Sequence, residues 1–326
     1  MIIKSNELKQ YITGAVYFEE ENGGIIPYRF TKEKIYTPRD TENKIRLTSP
    51  AGIKIDFYSD TESISFKYTA YMEIVSQLYR IYGFDIYSDG DLVLHRCEKD
   101  VNCDRSGEIS VKLKEGTKRI TVYLPNSCGV KIEDFNIDDG SFIKKADYGK
   151  NAYFFGDSIT HAAYLDFTSK SYANIISQRY NYCAVNQAIG GDIFDKDHLL
   201  YLPDFKPDVI YVAYGTNDWR WANDTCGERI CEYFCMLNEH FKDVETNVIL
   251  PIWRKDLNDC PDLKYSFNDV RNIIKNEAQK YGYNVFDGFN FVPHIEKLFF
   301  DEYLHPNEMG FAFYADALQT EINKLK

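Results

Sequence analysis

A serine, a histidine and two adjacent acids in this chain have the types and settings that acyl transfer needs. Ser158 ends the run Tyr153-Phe-Phe-Gly-Asp-Ser158, where an apolar stretch stops abruptly in a glycine, an acid and a hydroxyl. His305 lies far downstream, in Asp301-Glu302-Tyr303-Leu304-His305-Pro306-Asn307. A serine hydroxyl is a poor nucleophile until a base takes its proton. Imidazole can do so because it exchanges protons near neutral pH. A carboxylate behind the imidazole would fix its tautomer and stabilise the imidazolium. The tetrahedral intermediate also needs N–H donors aimed at its oxyanion. Three candidates are the Ser158 N–H, the Gly191 N–H, where glycine lets the backbone approach closely, and the Asn217 side-chain amide.

These groups come from segments whose pattern puts them at one edge of a sheet. From about residue 151, apolar runs alternate with longer amphipathic stretches. Strands are predicted at 152–155, 184–189, 208–214, 247–253 and 284–286. Helices are predicted at 169–180, 193–200, 228–241, 262–281 and 308–325. Strands alternating with helices imply a parallel sheet covered on both faces. In such a sheet, ligands bind beyond the carboxyl ends of the strands. Ser158, Gly191, Asn217 and Arg254 each follow a predicted strand, and His305 sits in the loop before the last helix.

The first half has a different period. Short alternating runs, such as Ile53-Lys-Ile-Asp-Phe57 and Arg119-Ile-Thr-Val-Tyr-Leu124, indicate half-buried strands. Asp89-Gly90 reads as a hairpin turn, Glu115-Gly116 as another turn, and residues 139–149 as a linker. The predicted organisation is an antiparallel, jelly-roll-like β-sandwich over residues 1–145 and an α/β domain over 146–326.

Four short blocks, in order, resemble the SGNH (GDSL-type) hydrolase family. They are Gly156-Asp-Ser158-Ile, Asn186-Gln-Ala-Ile-Gly-Gly191-Asp192, Gly215-Thr-Asn217-Asp218 and His305-Pro306. Each alone is weak, and the ordered set is specific. The resemblance covers residues 151–326. It implies a flavodoxin-like, three-layer α/β/α catalytic domain, with Ser158 as nucleophile, His305 as base and Ser158, Gly191 and Asn217 as the oxyanion hole. The family places an Asp three residues before the His, where this chain has Glu302 and carries Asp301 one residue earlier. Asp301, with its shorter arm, is favoured. Glu302 and a backbone carbonyl remain alternatives. A β-rich domain ahead of this catalytic domain is similar to the arrangement in some carbohydrate esterases that remove acetyl groups from polysaccharides.

The resulting expectation is a metal-independent serine esterase acting on small acyl esters, with an acetylated sugar as substrate. The alternatives are a lysophospholipase or thioesterase acting on longer chains, and a carbohydrate-binding protein with an idle triad. Trp219, Arg220, Trp221, Trp253 and Arg254 fall just past two strand ends. Aromatic rings beside charges suit sugar recognition, so Trp219, Arg220, Trp253 and Arg254 are candidate substrate contacts. The same residues could instead pack against the first domain. His161 could line a pocket, be packed or be solvated.

Composition narrows the partners. A net charge of −12 argues against a nucleic-acid backbone or an anionic membrane. The eight cysteines form no CxxC pair and lack histidines at ligand spacing, so no metal or cofactor is expected. The N-terminus shows no secretory signal, and free thiols fit a reducing, cytoplasmic setting. The 26 tyrosines and 22 phenylalanines suit strands more readily than a sugar-stacking surface.

Overall fold

The topology of the strands that precede Ser158 and Asn217 decides where those residues meet. The computed structural model describes residues 1–36, 46–71, 82–98, 105–162 and 164–325. The chain divides into two compact units. One is Met1–Tyr148 with Ala163–Ser169, and the other is Gly149–Ala162 with Lys170–Lys326.

The second unit is built on five parallel strands: β1 (Lys150–Gly156), β2 (Tyr182–Asn186), β3 (Val209–Ala213), β4 (Glu245–Ile249) and β5 (Asn284–Phe286). Their order across the sheet is β2-β1-β3-β4-β5, the flavodoxin-like arrangement. Connections leave β1 in one direction and β3 in the other. Right-handed crossovers therefore send the helices to opposite faces. Helix α2 (Tyr172–Arg179) packs against α6 (Glu308–Asn323), and α4 (Cys226–His240) against α5 (Phe267–Lys280). Two short helices, α1 (Ser158–His161) and α3 (Thr216–Trp221), start just after β1 and β3. With helices on both faces, the strands need continuous rather than alternating apolar character. Ala152 to Phe155 and Val209 to Val212 are accordingly fully buried.

The first unit is a β-sandwich. One antiparallel sheet runs Tyr17–Glu21, Gly24–Tyr28, Gly129–Ile137, Ser63–Tyr71, Ser106–Lys112. The other runs Lys144–Lys145, Lys54–Ser59, Lys118–Tyr123, Tyr82–Ser88, Asp91–Glu98. Phe57, Phe66, Phe84 and Phe135 meet in the core between them, with ring centroids 5.5–5.9 Å apart. Asp89 and Gly90 both have positive φ, 50° and 87°, as a type I′ hairpin turn requires. Residues 139–149, read from sequence as a linker, belong mostly to this unit. Lys144–Lys145 pairs with Lys54–Ser59, and the Tyr148 hydroxyl donates to Asp56 at 2.5 Å.

The helix predicted at 193–200 does not form. Only the single turn Lys196–His198 is helical: Asp195 caps its start by accepting the Asp197 N–H, and the chain is already extended at Leu199. The strand predicted at 184–189 ends at Asn186, whose side chain accepts the Ala188 N–H and turns the chain. Among the described residues, no helix is long and apolar enough to cross a membrane.

The exit from β3 depends on Gly215, with φ 120°, a region L-residues rarely adopt. A Cβ there would stand 2.6 Å from Ile274 Cδ1 and 2.7 Å from Pro251 Cγ. Gly215→Ala should therefore cost roughly 1–3 kcal/mol in urea unfolding, from backbone strain and overpacking together. An unchanged midpoint would show that the turn tolerates a side chain.

Candidate active site

The first loop of the second unit presents Ser158 at the N-terminal end of a helix. Asp157 caps that helix, accepting the Ile159 N–H at 3.0 Å, and Ala162 ends it in the left-handed region. As a first-turn residue, Ser158 has no intrahelical partner for its N–H. Its Oγ lies 2.8 Å from His305 Nε2, although 147 positions separate them in the chain. His305 Nδ1 in turn lies 2.6 Å from Asp301 Oδ2.

The loop behind His305 accounts for the extra residue before it. Asp301 Oδ1 accepts the N–H groups of Tyr303, Leu304 and His305 at 3.1, 2.8 and 3.0 Å. Wrapping the backbone round this carboxylate puts Glu302 in the left-handed region at φ 57°, with its side chain exposed. Asp301, not Glu302, is thus the acid bonded to the imidazole. Burial raises the Asp301 pKa, but the bonds from His305 and the loop amides outweigh it and hold the carboxyl at about 2.

Two further loops close on the same point. Strands β1 and β3 are neighbours at the switch point of the sheet, so the loops carrying Ser158 and Asn217 emerge side by side. Asn217 Nδ2 gives one hydrogen to Asp192 O at 2.8 Å, which fixes the amide plane and leaves its second hydrogen available. Gly191, with φ 80°, has an N–H bonded to nothing among the described residues. The loop around it is tied to the Ser158 loop by three bonds. Ile189 N–H reaches Gly156 O at 3.0 Å, Asn186 Nδ2 reaches Thr160 O at 3.0 Å, and Gly190 N–H reaches His161 Nδ1 at 3.2 Å. His161 is only 2 % exposed, so it is a packed acceptor for this loop rather than a solvated side chain. Its place beside the Ser158 block was the one sequence signal for that role.

The four expected substrate contacts divide. Trp219 is 1 % exposed and packs edge-on against Phe267. Arg254 is 2 % exposed, and its donors go to Asp256, Thr216 and Tyr303. Both are committed to the interior, which corrects the expectation that they face a ligand. Arg220 and Trp253 are half-buried. The Arg220 guanidinium lies 4.8 Å over the ring of Trp221, which is 73 % exposed, while Trp253 stacks on His294.

Two buried carboxyls stand behind this front. Burial pushes Asp157 up to about 7 against the opposing Ile159 N–H bond, and the charges of Asp218 and Asp192 push the same way. Burial also pushes Asp218 up to about 7, against Arg229 and the Phe194 N–H.

Residues 154–313 match the family model of the GDSL-like lipase/acylhydrolase family. The second unit belongs to that family. As a GDSL/SGNH-type protein, the chain is a serine ester hydrolase. No curated protein sequence matches it. Among solved structures, it is similar to salicylyl-acyltransferase SsfX3 from a tetracycline biosynthetic pathway. That match has a TM-score of 0.80 and 18% identity, and covers 96% of this chain and 94% of the other. A putative GDSL-like lipase from Bacteroides ovatus matches with a TM-score of 0.73 and 17% identity, over 100% and 97% of the two chains. An acetyl xylan esterase from the rumen bacterium Butyrivibrio proteoclasticus matches with a TM-score of 0.60 and 14% identity, over 100% and 99%. At these identities the likeness is one of fold.

The buried carboxyls of this hydrolase have a consequence for stability. A carboxyl raised to about 7 in the folded state, against about 4 unfolded, stabilises the fold below pH 4. That contribution is lost as pH rises through 7. Thermal unfolding of Asp218→Asn should therefore gain on the parent steadily between pH 4.5 and about pH 8. A difference in melting temperature that stays flat with pH would contradict the shifted carboxyl.

Proposed function

We propose that the chain is a serine esterase that removes small acyl groups, acetyl in the first instance, from acylated carbohydrate. The observation that carries this reading is the relay in which His305 bridges Ser158 at 2.8 Å and Asp301 at 2.6 Å. Ser158 Oγ attacks the ester carbonyl while His305 Nε2 takes the hydroxyl proton. The carbonyl oxygen becomes an oxyanion facing the N–H groups of Ser158 and Gly191 and the free Asn217 hydrogen. His305 then protonates the departing sugar alcohol, leaving an acyl-Ser158 ester. Water, deprotonated by the same imidazole, releases the acid and restores Ser158. Asp301 stays ionised throughout, holding Nδ1–H and the imidazolium that forms twice per turnover.

The sugar part of the proposal draws on the fold shared with an acetyl xylan esterase. It also draws on Arg220 and Trp253, the two expected contacts that remain partly accessible. Arg220 beside the exposed Trp221 offers a ring face and hydrogen-bond donors, a pairing suited to a sugar ring and its hydroxyls. The fold shared with an acyltransferase supports a second outcome, in which an acceptor alcohol replaces water in the last step.

Ser158→Ala should lower kcat on p-nitrophenyl acetate by roughly 10⁴-fold or more. Asp301→Asn should lower it by about 10²–10⁴-fold, and Glu302→Gln should leave it within about twofold. Full activity in Ser158→Ala would remove the mechanism, and a large loss in Glu302→Gln would transfer the relay to that acid. Across an ester series from acetate to decanoate, kcat/KM should fall with chain length. A rise towards decanoate would favour a lysophospholipase-type or thioesterase-type substrate.

A further inference from the structure

Arg254 occupies the ground between the two halves of the proposed machinery. Its Nη1 donates to Thr216 O at 3.1 Å and Thr216 Oγ1 at 2.9 Å, and Thr216 immediately precedes Asn217. Its Nε and Nη2 hold Asp256 in a fork at 2.5 and 2.8 Å. Nη2 also donates to the Tyr303 hydroxyl, which itself donates to Asp256 Oδ2 at 2.6 Å. The guanidinium plane lies 4.8 Å from the Trp219 ring centroid and 5.2 Å from that of Tyr303. Beside it, Lys255 N–H pins Tyr303 O at 3.1 Å. Tyr303 sits inside the loop that wraps Asp301, two residues from His305.

We propose that Arg254 is a positioning residue that locks the His305 loop to the Asn217 helix through Tyr303, Asp256 and Thr216. This rests on the roles given to Ser158, His305 and Asn217 above. Proton transfer and oxyanion binding must act on one carbonyl at the same moment. The base loop and the oxyanion amide therefore need a fixed separation, and a misplacement of about 1 Å costs on the order of 10²-fold in rate. Hydrogen bonds to Thr216 alone, or to Tyr303 alone, would hold only one side. A planar guanidinium holds both, because its five donors leave in fixed directions and its faces stack. Lysine at this position would keep the charge and lose the fork, the second set of donors and the stacking.

The test is steady-state kinetics on p-nitrophenyl acetate with thermal unfolding of the same samples, at a temperature well below every transition. Arg254→Lys should lower kcat by about 10- to 100-fold and Tyr303→Phe by about 3- to 10-fold, with KM within about threefold in both. The low-field Nδ1–H resonance of His305 should shift in both variants. If both keep kcat within about twofold of the parent and leave that resonance unmoved, the proposal is overturned and Arg254 is a stability element. Should Arg254→Lys fail to fold, Tyr303→Phe decides alone, since it deletes one hydroxyl. Ser158→Ala separates the two questions. Full activity in that variant sinks the esterase mechanism, whereas its inactivity beside unaffected Arg254→Lys and Tyr303→Phe sinks only the positioning role.

Discussion

One imidazole must stand within hydrogen-bond reach of a serine on the other side of the chain and of a carboxylate one loop away. The first distance is tertiary, bridging 147 positions, and the second is local, bridging four. The fold solves them separately. The parallel sheet delivers Ser158 by ending β1 at the switch point. The last loop delivers His305 already bonded to its acid, because Asp301 gathers three backbone amides of the segment that carries the imidazole. A carboxylate satisfied in this way is rigid as well as ionised, and rigidity counts where a proton crosses 2.8 Å.

The same economy appears on the oxyanion side. Asn217 is oriented by the carbonyl of Asp192, and the Gly191 loop by His161, Asn186 and the backbone of Gly156. In the proposed mechanism these two donors are thus held in place by bonds other than the one each would give the oxyanion. Arg254 extends this logic by one layer and joins the two sides. The arrangement also buries acids: Asp157, next to Ser158, and Asp218, next to Asn217, are kept from water, and burial pushes both carboxyls up to about 7.

Much of this was legible in the sequence. The alternation of apolar runs with amphipathic stretches gave the five parallel strands, since buried strands carry unbroken apolar character. The rule that ligands sit past strand ends then collected Ser158, Gly191, Asn217 and His305 onto one edge. Other features were hidden for identifiable reasons. Helices α1 and α3 span only four and six residues, too short for a period to show. The segment at 193–200 has helical spacing, but tertiary contacts such as the Phe194 N–H to Asp218 take its backbone elsewhere. The hairpin joining Tyr17–Glu21 to Gly24–Tyr28 turns on Asn22-Gly23, a readable turn signal, but the acidic run Glu19-Glu20-Glu21 hides the alternation of the strand before it. Arg254 and Trp219 passed for substrate contacts because a sequence shows that a residue follows a strand, not which way its side chain turns. The choice between Asp301 and Glu302 depended on a left-handed residue that no motif spacing announces.

The account stands on Ser158 forming a covalent acyl-enzyme. The most direct measurement is mass spectrometry of the protein quenched in acid during turnover of p-nitrophenyl acetate, with the modified peptide sequenced. The mechanism predicts one acetyl group on the peptide containing Ser158, and none there in Ser158→Ala. Turnover at full rate with Ser158 unmodified, or with the acetyl group carried by another residue, would contradict it.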